Sequence, residues 1–303
     1  LAGDAWKVHS ASVPSLPTLL RFALADPRPA PPPRPAAGPG AKYRQPDRQL
    51  DYGAHPLQQI DFHSAGAGKR PLLAFLHGGA WQFGDKARRL KDRKAPFAHG
   101  EGWHFASINF RMVPEVSVSE MARDVAKAIR HLFDRADMLG IDTTHIALMG
   151  HSSGAHLAAL VGSDPAYLRG EGLEPGALAG VIANEGAAYD ARERSVGPGW
   201  LHRRLIAPAF PGDPDALAAL SPVLHAASAP NAPAFLILHT AHCFGVRHAE
   251  ALEASLRHAG TPVERHAFAG RGTAAHVMMS RKFGEPGFPP TEVARRWLAE
   301  RFT

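Results

Sequence analysis

The sequence contains very little cysteine and no long apolar segment. Cys243 is the single cysteine among 303 residues, which excludes an internal disulfide framework and a zinc site built from several cysteines. No run of about 18 or more apolar residues occurs, so we predict no membrane span. Low cysteine content is typical of a reducing compartment, and we expect a cytoplasmic protein. A secreted or periplasmic mature form remains open, and Leu1 in place of methionine fits such a form or a truncated one.

Acidic residues are fewer than basic ones, with 28 Asp and Glu against 34 Lys and Arg, for a net charge of +6. The densest basic cluster covers residues 86–94, in a stretch predicted to be helical. Its cations surround such a helix rather than forming one stripe, and no aromatic residues lie between them. We therefore interpret the cluster as a solvated surface and predict no nucleic-acid partner. Since no phosphate-binding or dinucleotide fingerprint is present, no cofactor is expected.

Proline separates an N-terminal arm from the rest of the chain. The segment Pro27–Pro35 reads PRPAPPPRP, which favours extended rather than helical backbone. We predict an irregular, proline-rich arm over residues 1–50 and a folded domain over 51–303. Two roles for the arm remain open, namely covering a sheet edge or contacting a second subunit, so no oligomeric state is predicted.

From residue 57 onwards, strand and helix patterns alternate. The predicted strands are 57–62, 71–76, 103–110, 145–149, 179–183, 234–239 and 263–268; the predicted helices are 119–139, 153–161, 247–258 and 291–302. This alternation predicts an α/β domain with a mostly parallel, doubly wound sheet, whose active residues lie at the carboxyl ends of the strands. Residues 189–231 are rich in Pro and Gly, and we predict a small lid-like insertion there.

The strongest functional motif is Gly150-His151-Ser152-Ser153-Gly154, between a predicted strand and a predicted helix. In a nucleophile elbow, the serine lies on a tight turn, and the flanking glycines let neighbouring backbone pass without a clash. The turn exposes the hydroxyl at the top of the sheet. We therefore predict that Ser152 is a nucleophile.

A second motif, His77-Gly78-Gly79-Ala80-Trp81, directly follows the strand predicted at 71–76. Consecutive glycines allow backbone N–H groups to face a developing oxyanion. Together with the N–H of Ser153 they would form an oxyanion hole, in which each donor is worth roughly 10²–10³ in rate.

The combination of HGGAW with GHSSGAH resembles the esterase and arylformamidase branch of the α/β-hydrolase superfamily. The HGGxW form is more similar to that of kynurenine formamidase and related carboxylesterases than to the HGGG form of hormone-sensitive-lipase-like enzymes. The resemblance covers residues 57–302 and implies the α/β-hydrolase fold. It also implies Ser152 as nucleophile, with Gly78, Gly79 and Ser153 as oxyanion donors.

The general base is expected after the last strand, because the catalytic residues of this fold follow the chain order serine, acid, histidine. There the predicted loop reads Ala269-Gly-Arg-Gly-Thr-Ala-Ala-His276, and His276 is the candidate. His266 falls within the preceding strand, and we interpret it as structural.

The acid is where this sequence departs from the family pattern. The loop after residues 234–239 reads Thr240-Ala-His-Cys-Phe-Gly245 and contains no carboxylate, and the next acid, Glu250, falls inside a predicted helix. Three interpretations remain open. Glu185, just past the strand at 179–183, supplies the carboxylate; Ser152 and His276 work as a dyad; or the site is impaired or repurposed.

Three side chains are candidates for the substrate pocket: Trp81, His151 and His242. Trp81 has an alternative role as a half-buried packing indole, and His151, like His156, has an alternative packing role beside the elbow. His239, His242 and Cys243 invite a metal interpretation, but no fourth ligand at a recognisable spacing accompanies them, and no metal site is expected.

These residues predict a carboxylesterase-type serine hydrolase that cleaves small to medium esters through an acyl-enzyme. An arylformamidase acting on N-formylkynurenine-type amides is the alternative within this class. A degenerate or altered hydrolase-fold protein with weak or no turnover is the alternative outside it. The expected partner is a small-molecule ester or aryl-amide substrate.

Overall fold

The computed structural model describes residues 45–87, 93–193, 207–210, 212–228, 230–241 and 243–303, and the side chains of Cys243 and Phe244 are not among the described parts. Residues 1–44 of the predicted arm therefore lie outside the described residues, as do residues 88–92 of the basic cluster. The first described strand begins at Arg48, three positions before the predicted start of the folded domain.

The described residues form an eight-stranded sheet in the order β1-β2-β4-β3-β5-β6-β7-β8. The strands are β1 Arg48–Asp51, β2 Gln59–His63, β3 Arg70–Leu76, β4 His104–Ile108, β5 Ile141–His151, β6 Gly180–Asn184, β7 Phe235–Thr240 and β8 Val263–Phe268. β2 pairs antiparallel with β1 and with β4, and the remaining pairs are parallel. The predicted mostly parallel, doubly wound sheet is therefore confirmed.

Helices cover both faces of this sheet. They are α1 Lys94–Gly100, α2 Val118–Asp134, α3 Ala136–Leu139, α4 Ser153–Ser163, α5 Pro165–Gly170, α6 Pro214–Ala219, α7 Pro222–Ala226, α8 Cys243–His258, α9 Gly272–Arg281 and α10 Pro289–Ala299. None of these described helices combines the length and the apolar character that a membrane crossing would need.

The alternation of side chains along β3 explains the two layers. Leu72, Ala74 and Leu76 belong to a hydrophobic cluster shared with α2, α4 and α8, whereas Leu73 and Phe75 belong to a second cluster shared with α1, α9 and α10. Successive side chains of a strand point to opposite faces, so a strand covered on both faces must be apolar throughout. This requirement accounts for the continuous apolar run LLAFL in β3.

The helix predicted at 119–139 is in fact two helices. α2 begins with a capping box, in which the Ser117 side chain accepts from the Glu120 N–H and the Glu120 carboxylate accepts from the Ser117 N–H. α3 then ends at Gly140, whose φ of 68° is a left-handed conformation that glycine adopts without strain.

The interpretation of residues 86–94 as one solvated helix is wrong at both described ends. Lys86 lies in a turn, and its buried Nζ is 3.3 Å from the buried Asp61 carboxylate. Lys94 begins α1, is 1% exposed, and donates from Nζ to the Ser280 carbonyl at 2.9 Å. Both cations have polar partners inside the fold, which a count of charges along a helix cannot show.

Two further elements differ from the sequence predictions. The segment predicted as a loop around His276 is the helix α9. In the insertion predicted at 189–231, the described residues include the short helices α6 and α7, whereas residues 194–206 lie outside the description.

Candidate active site

The turn between β5 and α4 holds Ser152 in a strained conformation, with φ 57° and ψ −121°. The two glycines of the motif are needed for close packing. A Cβ on Gly150 would lie 2.0 Å from the Gly154 carbonyl oxygen, and one on Gly154 would lie 2.4 Å from the Leu76 carbonyl oxygen. Larger residues are therefore excluded at both positions, as a nucleophile elbow requires.

His276 lies in the first half of α9, and its Nε2 is 3.0 Å from Ser152 Oγ. The ring is about one third exposed, and its Nδ1 faces Glu185. With the ring proton on Nδ1, Nε2 is free to accept the proton of the Ser152 hydroxyl, which is the protonation state that a general base needs.

Glu185 follows β6 directly and is 5% exposed. Its Oε1 lies 3.7 Å from His276 Nδ1, within ion-pair range but longer than an N–H···O hydrogen bond. Catalytic hydrogen bonds are often loose without substrate and shorten in the reactive complex. The structure thus brings Ser152, His276 and Glu185 together in the chain order of the family.

Hydrogen bonds keep the Glu185 carboxylate ionised despite its burial. Burial by itself raises the pKa of Glu185, but the electrostatic interaction with His276 and the hydrogen bonds from Thr240 outweigh it, and the net pKa is lowered. Thr240 donates to this carboxylate from its backbone N–H at 2.6 Å and from its hydroxyl at 2.7 Å.

The loop that follows β3 lies against the elbow. A Cβ on Gly78 would be 2.9 Å from Ser152 Cβ, so the backbone of Gly78 passes directly beside Ser152. Gly79 has φ 148°, and a Cβ there would be 1.9 Å from the Phe83 carbonyl oxygen. Ser153 begins α4, so its N–H belongs to the unpaired first turn of that helix. Two of the three predicted oxyanion donors, Gly78 and Ser153, are therefore adjacent to Ser152, and Gly79 follows Gly78 in the chain.

Trp81, one of the predicted pocket residues, is only 3% exposed. Its indole contacts the rings of His156 and Phe210 edge-on, and Nε1 donates to His156 Nδ1 at 3.3 Å. His156 in turn donates from Nε2 to the Leu220 carbonyl at 2.9 Å. These contacts favour the packing role of Trp81 over the role of an open pocket wall.

His151 and Asn184 attach α9 to the sheet. His151, 8% exposed, donates from Nε2 to the His276 carbonyl oxygen at 3.0 Å, and Asn184 donates from Nδ2 to the Met279 carbonyl oxygen at 3.0 Å. His151 therefore holds the backbone of α9 at His276, which favours its alternative packing role. Sequence reasoning missed Asn184 and Thr240, although both lie at carboxyl ends of predicted strands, where side chains of an active site are expected.

The residues considered for a metal site or for the substrate pocket after β7 have no described contact with Ser152, His276 or Glu185. His242 lies outside the described residues, and the side chain of Cys243 is not described. His239 is buried, with Nδ1 2.9 Å from the Thr240 carbonyl oxygen and Nε2 3.1 Å from Arg265 Nη1. Both ring nitrogens already have protein partners, so His239 has no free position for a metal.

The chain is similar to a family model and to several known proteins. The BD-FAE family model matches residues 59–175, which include the Gly78–Gly79 loop and the elbow but end before Glu185 and His276. The chain is 35% identical to the probable isoprenylcysteine alpha-carbonyl methylesterase ICME of Oryza sativa subsp. japonica, over 38% of this chain and 28% of that protein. It is 29% identical to Esterase LipC of Mycobacterium tuberculosis, over 63% of this chain and 50% of that protein.

A third relative is the kynurenine formamidase of Debaryomyces hansenii, 29% identical over 37% of this chain and 38% of that protein. The matches thus span between about a quarter and half of the length of these curated relatives. Among solved structures, the apo form of Thermogutta terrifontis esterase 2 superposes with a TM-score of 0.63 at 23% identity, covering 86% of this chain and 95% of that one. The chain therefore has the α/β-hydrolase fold, and its residues 59–175 match the BD-FAE family model.

Proposed function

We propose that the chain is a serine hydrolase that cleaves small to medium carboxylic esters through an acyl-enzyme intermediate. The observation that carries this proposal is the 3.0 Å contact between Ser152 Oγ and His276 Nε2 at the nucleophile elbow. The named esterases among the relatives support the same class of reaction.

In this mechanism, Ser152 Oγ attacks the ester carbonyl carbon while His276 Nε2 takes the hydroxyl proton. The carbonyl oxygen becomes an oxyanion, and the N–H groups of Gly78, Gly79 and Ser153 stabilise it. Collapse of this intermediate breaks the bond to the alcohol, which leaves with the proton from His276. Water, deprotonated by His276, then attacks the acyl-enzyme and releases the carboxylic acid and free Ser152.

Glu185 is the acid of this mechanism. Its carboxylate faces Nδ1 of His276, which fixes the tautomer and stabilises the imidazolium that forms when the serine proton is transferred. Because this carboxylate is present, the geometry favours a triad over the dyad and over an impaired site.

Arylformamidase is the second candidate function. The formamidase relative and the HGGAW motif favour it, and the same acyl-enzyme route applies with an aryl amine as leaving group. The relative values of kcat/KM on p-nitrophenyl butyrate and on N-formylkynurenine separate the two functions, since an esterase prefers the first and a formamidase the second.

Ser152→Ala tests the nucleophile. We expect kcat for hydrolysis of p-nitrophenyl acetate and butyrate to fall by about 10³-fold or more in this variant, because the substitution removes the hydroxyl group that attacks the ester. Ser163→Ala is the matched control: Ser163 is a buried serine at the other end of α4. It should keep wild-type kcat. Equal rates for wild type and Ser152→Ala would refute the proposal and favour the degenerate hydrolase.

A further inference from the structure

The end of β7 holds the Glu185 carboxylate through one residue. Thr240, which is 2% exposed, donates to Glu185 Oε2 from its backbone N–H at 2.6 Å and to Oε1 from its hydroxyl at 2.7 Å. Oε1 is also the oxygen that faces His276 Nδ1. The Thr240 hydroxyl and the His276 ring therefore share one carboxylate oxygen, and the direction of that oxygen depends on both.

Thr240 is itself held in place from the far side of the strand end. Arg265 donates from Nη1 to His239 Nε2 at 3.1 Å, and guanidinium groups are donors only, so the proton of the neutral His239 ring is on Nδ1. That Nδ1–H then donates to the Thr240 carbonyl oxygen at 2.9 Å. Arg265 is anchored in turn by the Glu253 carboxylate of α8. The backbone of Thr240 is thus held on both sides of its Cα, by Glu185 at the N–H and by His239 at the carbonyl oxygen.

We propose that Thr240 is the positioning residue of the catalytic acid: its two donors orient the Glu185 carboxylate toward His276, at the strand end where the sequence carries no acid of its own. This proposal rests on the proposed serine hydrolase function. The parallel pairing of β6 and β7, with Asn184 opposite Leu238, brings Glu185 and Thr240 side by side. A carboxylate at the end of β6 thereby receives its hydrogen-bond donors from the end of β7.

The two donors of Thr240 also affect the pKa of the Glu185 carboxylate. The groups that face Glu185 are His276, Thr240 and the buried Tyr189, whose pKa is raised by burial and then by the negative charge of Glu185. Without the Thr240 hydroxyl, Glu185 loses one donor and becomes more basic. Protonation of Glu185, which removes the negative charge facing His276, then begins at a higher pH.

The experiment compares Thr240→Val, which removes the hydroxyl at nearly constant volume, with Thr240→Ser, which keeps it. Hydrolysis of p-nitrophenyl butyrate and the rate of Ser152 labelling by an alkyl fluorophosphonate are both measured as functions of pH. In Thr240→Val we expect kcat to fall by about tenfold with KM within about twofold, the size expected for one hydrogen bond to a charged group. The acid limb of kcat/KM and of the labelling rate should move to higher pH. Thr240→Ser should recover most of kcat and the wild-type acid limb.

Thr291→Val is the matched control, because Thr291 is equally buried and its hydroxyl accepts from the Gly284 N–H on α10's side of the sheet. It should lower the melting temperature without moving the acid limb.

The proposal is overturned if Thr240→Val keeps the wild-type kcat and pH profile, if Thr240→Ser is equally impaired, or if Thr291→Val shows the same shift. Labelling of Ser152 without ester hydrolysis would refute the proposed function alone, and the pH profile of labelling would still decide the role of Thr240. A wild-type chain that neither hydrolyses esters nor reacts with the fluorophosphonate would refute both.

Discussion

Strained backbone conformations are concentrated at the candidate site. In the described part of the chain, the non-glycine residues with positive φ are Ala80, Trp81, Ser152, Glu185 and Ala188. Each such residue costs about 1–3 kcal/mol and persists only where surrounding contacts hold it. The N–H of Ser152 donates to the Asn184 carbonyl at 3.1 Å and that of Glu185 to the Leu238 carbonyl at 2.7 Å. Neighbouring strand ends therefore hold the proposed nucleophile and the proposed acid in place before a substrate binds.

Individual residues of the site differ in how far the sequence could predict them. Ser152 and His276 follow from local motifs and chain order. Glu185 emerged only as one of three interpretations, because its proximity to His276 arises from the register of β6 with β7 and from the position of the helix α9 after β8. That register is a tertiary property, which no spacing along the chain encodes.

At the residue scale, Glu185→Gln should lower kcat for p-nitrophenyl butyrate at least tenfold, and by up to about 10⁴-fold. An amide cannot stabilise the imidazolium, and its NH₂ group would compete with the donors of Thr240 and His276. Glu250→Gln is the matched control: Glu250 is the first acid after β7 in sequence, and its side chain is 54% exposed. That variant should keep the wild-type kcat. Unchanged kcat in Glu185→Gln would eliminate Glu185 as the acid.

Among the elements, α9 carries His276, the predicted general base, and was not predicted as a helix. Its sequence, GTAAHVMMSR, is preceded by Ala269-Gly-Arg. The two glycines at positions 270 and 272 are typical of a loop. β1 was also missed, because it is a four-residue edge strand with mostly exposed polar side chains. The central strands were predicted within a few residues, since burial on both faces demands continuous apolar runs.

The attachment of α9 to the sheet gives the prediction at the element scale. Asn184→Ala removes the hydrogen bond to the Met279 carbonyl, and we expect kcat to fall about tenfold as His276 loses its fixed position. The melting temperature should also fall, because a buried carbonyl loses a donor. The measurement is kcat for p-nitrophenyl butyrate together with thermal unfolding.

Asn231→Ala is the control for this effect. Asn231 donates from Nδ2 to the Ala226 carbonyl and to Thr261 Oγ1, so the variant also loses side-chain hydrogen bonds that join two segments. We expect a comparable loss of stability with unchanged kcat. If Asn231→Ala and Asn184→Ala lower kcat equally, the tether to α9 has no specific role in catalysis.

At the scale of the whole molecule, His156 joins three separate segments. It lies on α4 directly after the elbow, accepts from Trp81 of the loop after β3, and donates to Leu220 at the end of α6. The ring is fully buried. Burial lowers the pKa of His156 to about 4, an effect that the hydrogen bond to Leu220 only partly offsets. The contacts to both segments therefore depend on a neutral imidazole.

This burial makes global stability sensitive to acid. The native state holds His156 neutral down to about pH 4, whereas the unfolded chain protonates it near 6.5. Below 6.5 the unfolded state binds more protons, so the contribution of His156 to stability is complete above that pH and declines toward pH 4. Between about pH 7 and pH 4.5 the loss from this one residue amounts to about 2 kcal/mol of unfolding free energy.

His156→Gln isolates this contribution, because glutamine can accept from Trp81 and donate to Leu220 but does not titrate. Urea unfolding at about pH 7 and about pH 4.5 gives the loss of unfolding free energy on acidification, and the variant should lose about 2 kcal/mol less than the wild type. Other buried histidines with a lowered pKa, such as His104 and His248, are common to both proteins and cancel in this difference. Equal losses in the two proteins would mean that His156 is protonated at similar pH in the folded and unfolded chains. The contacts that His156 makes with Trp81 and Leu220 would then not require a neutral imidazole.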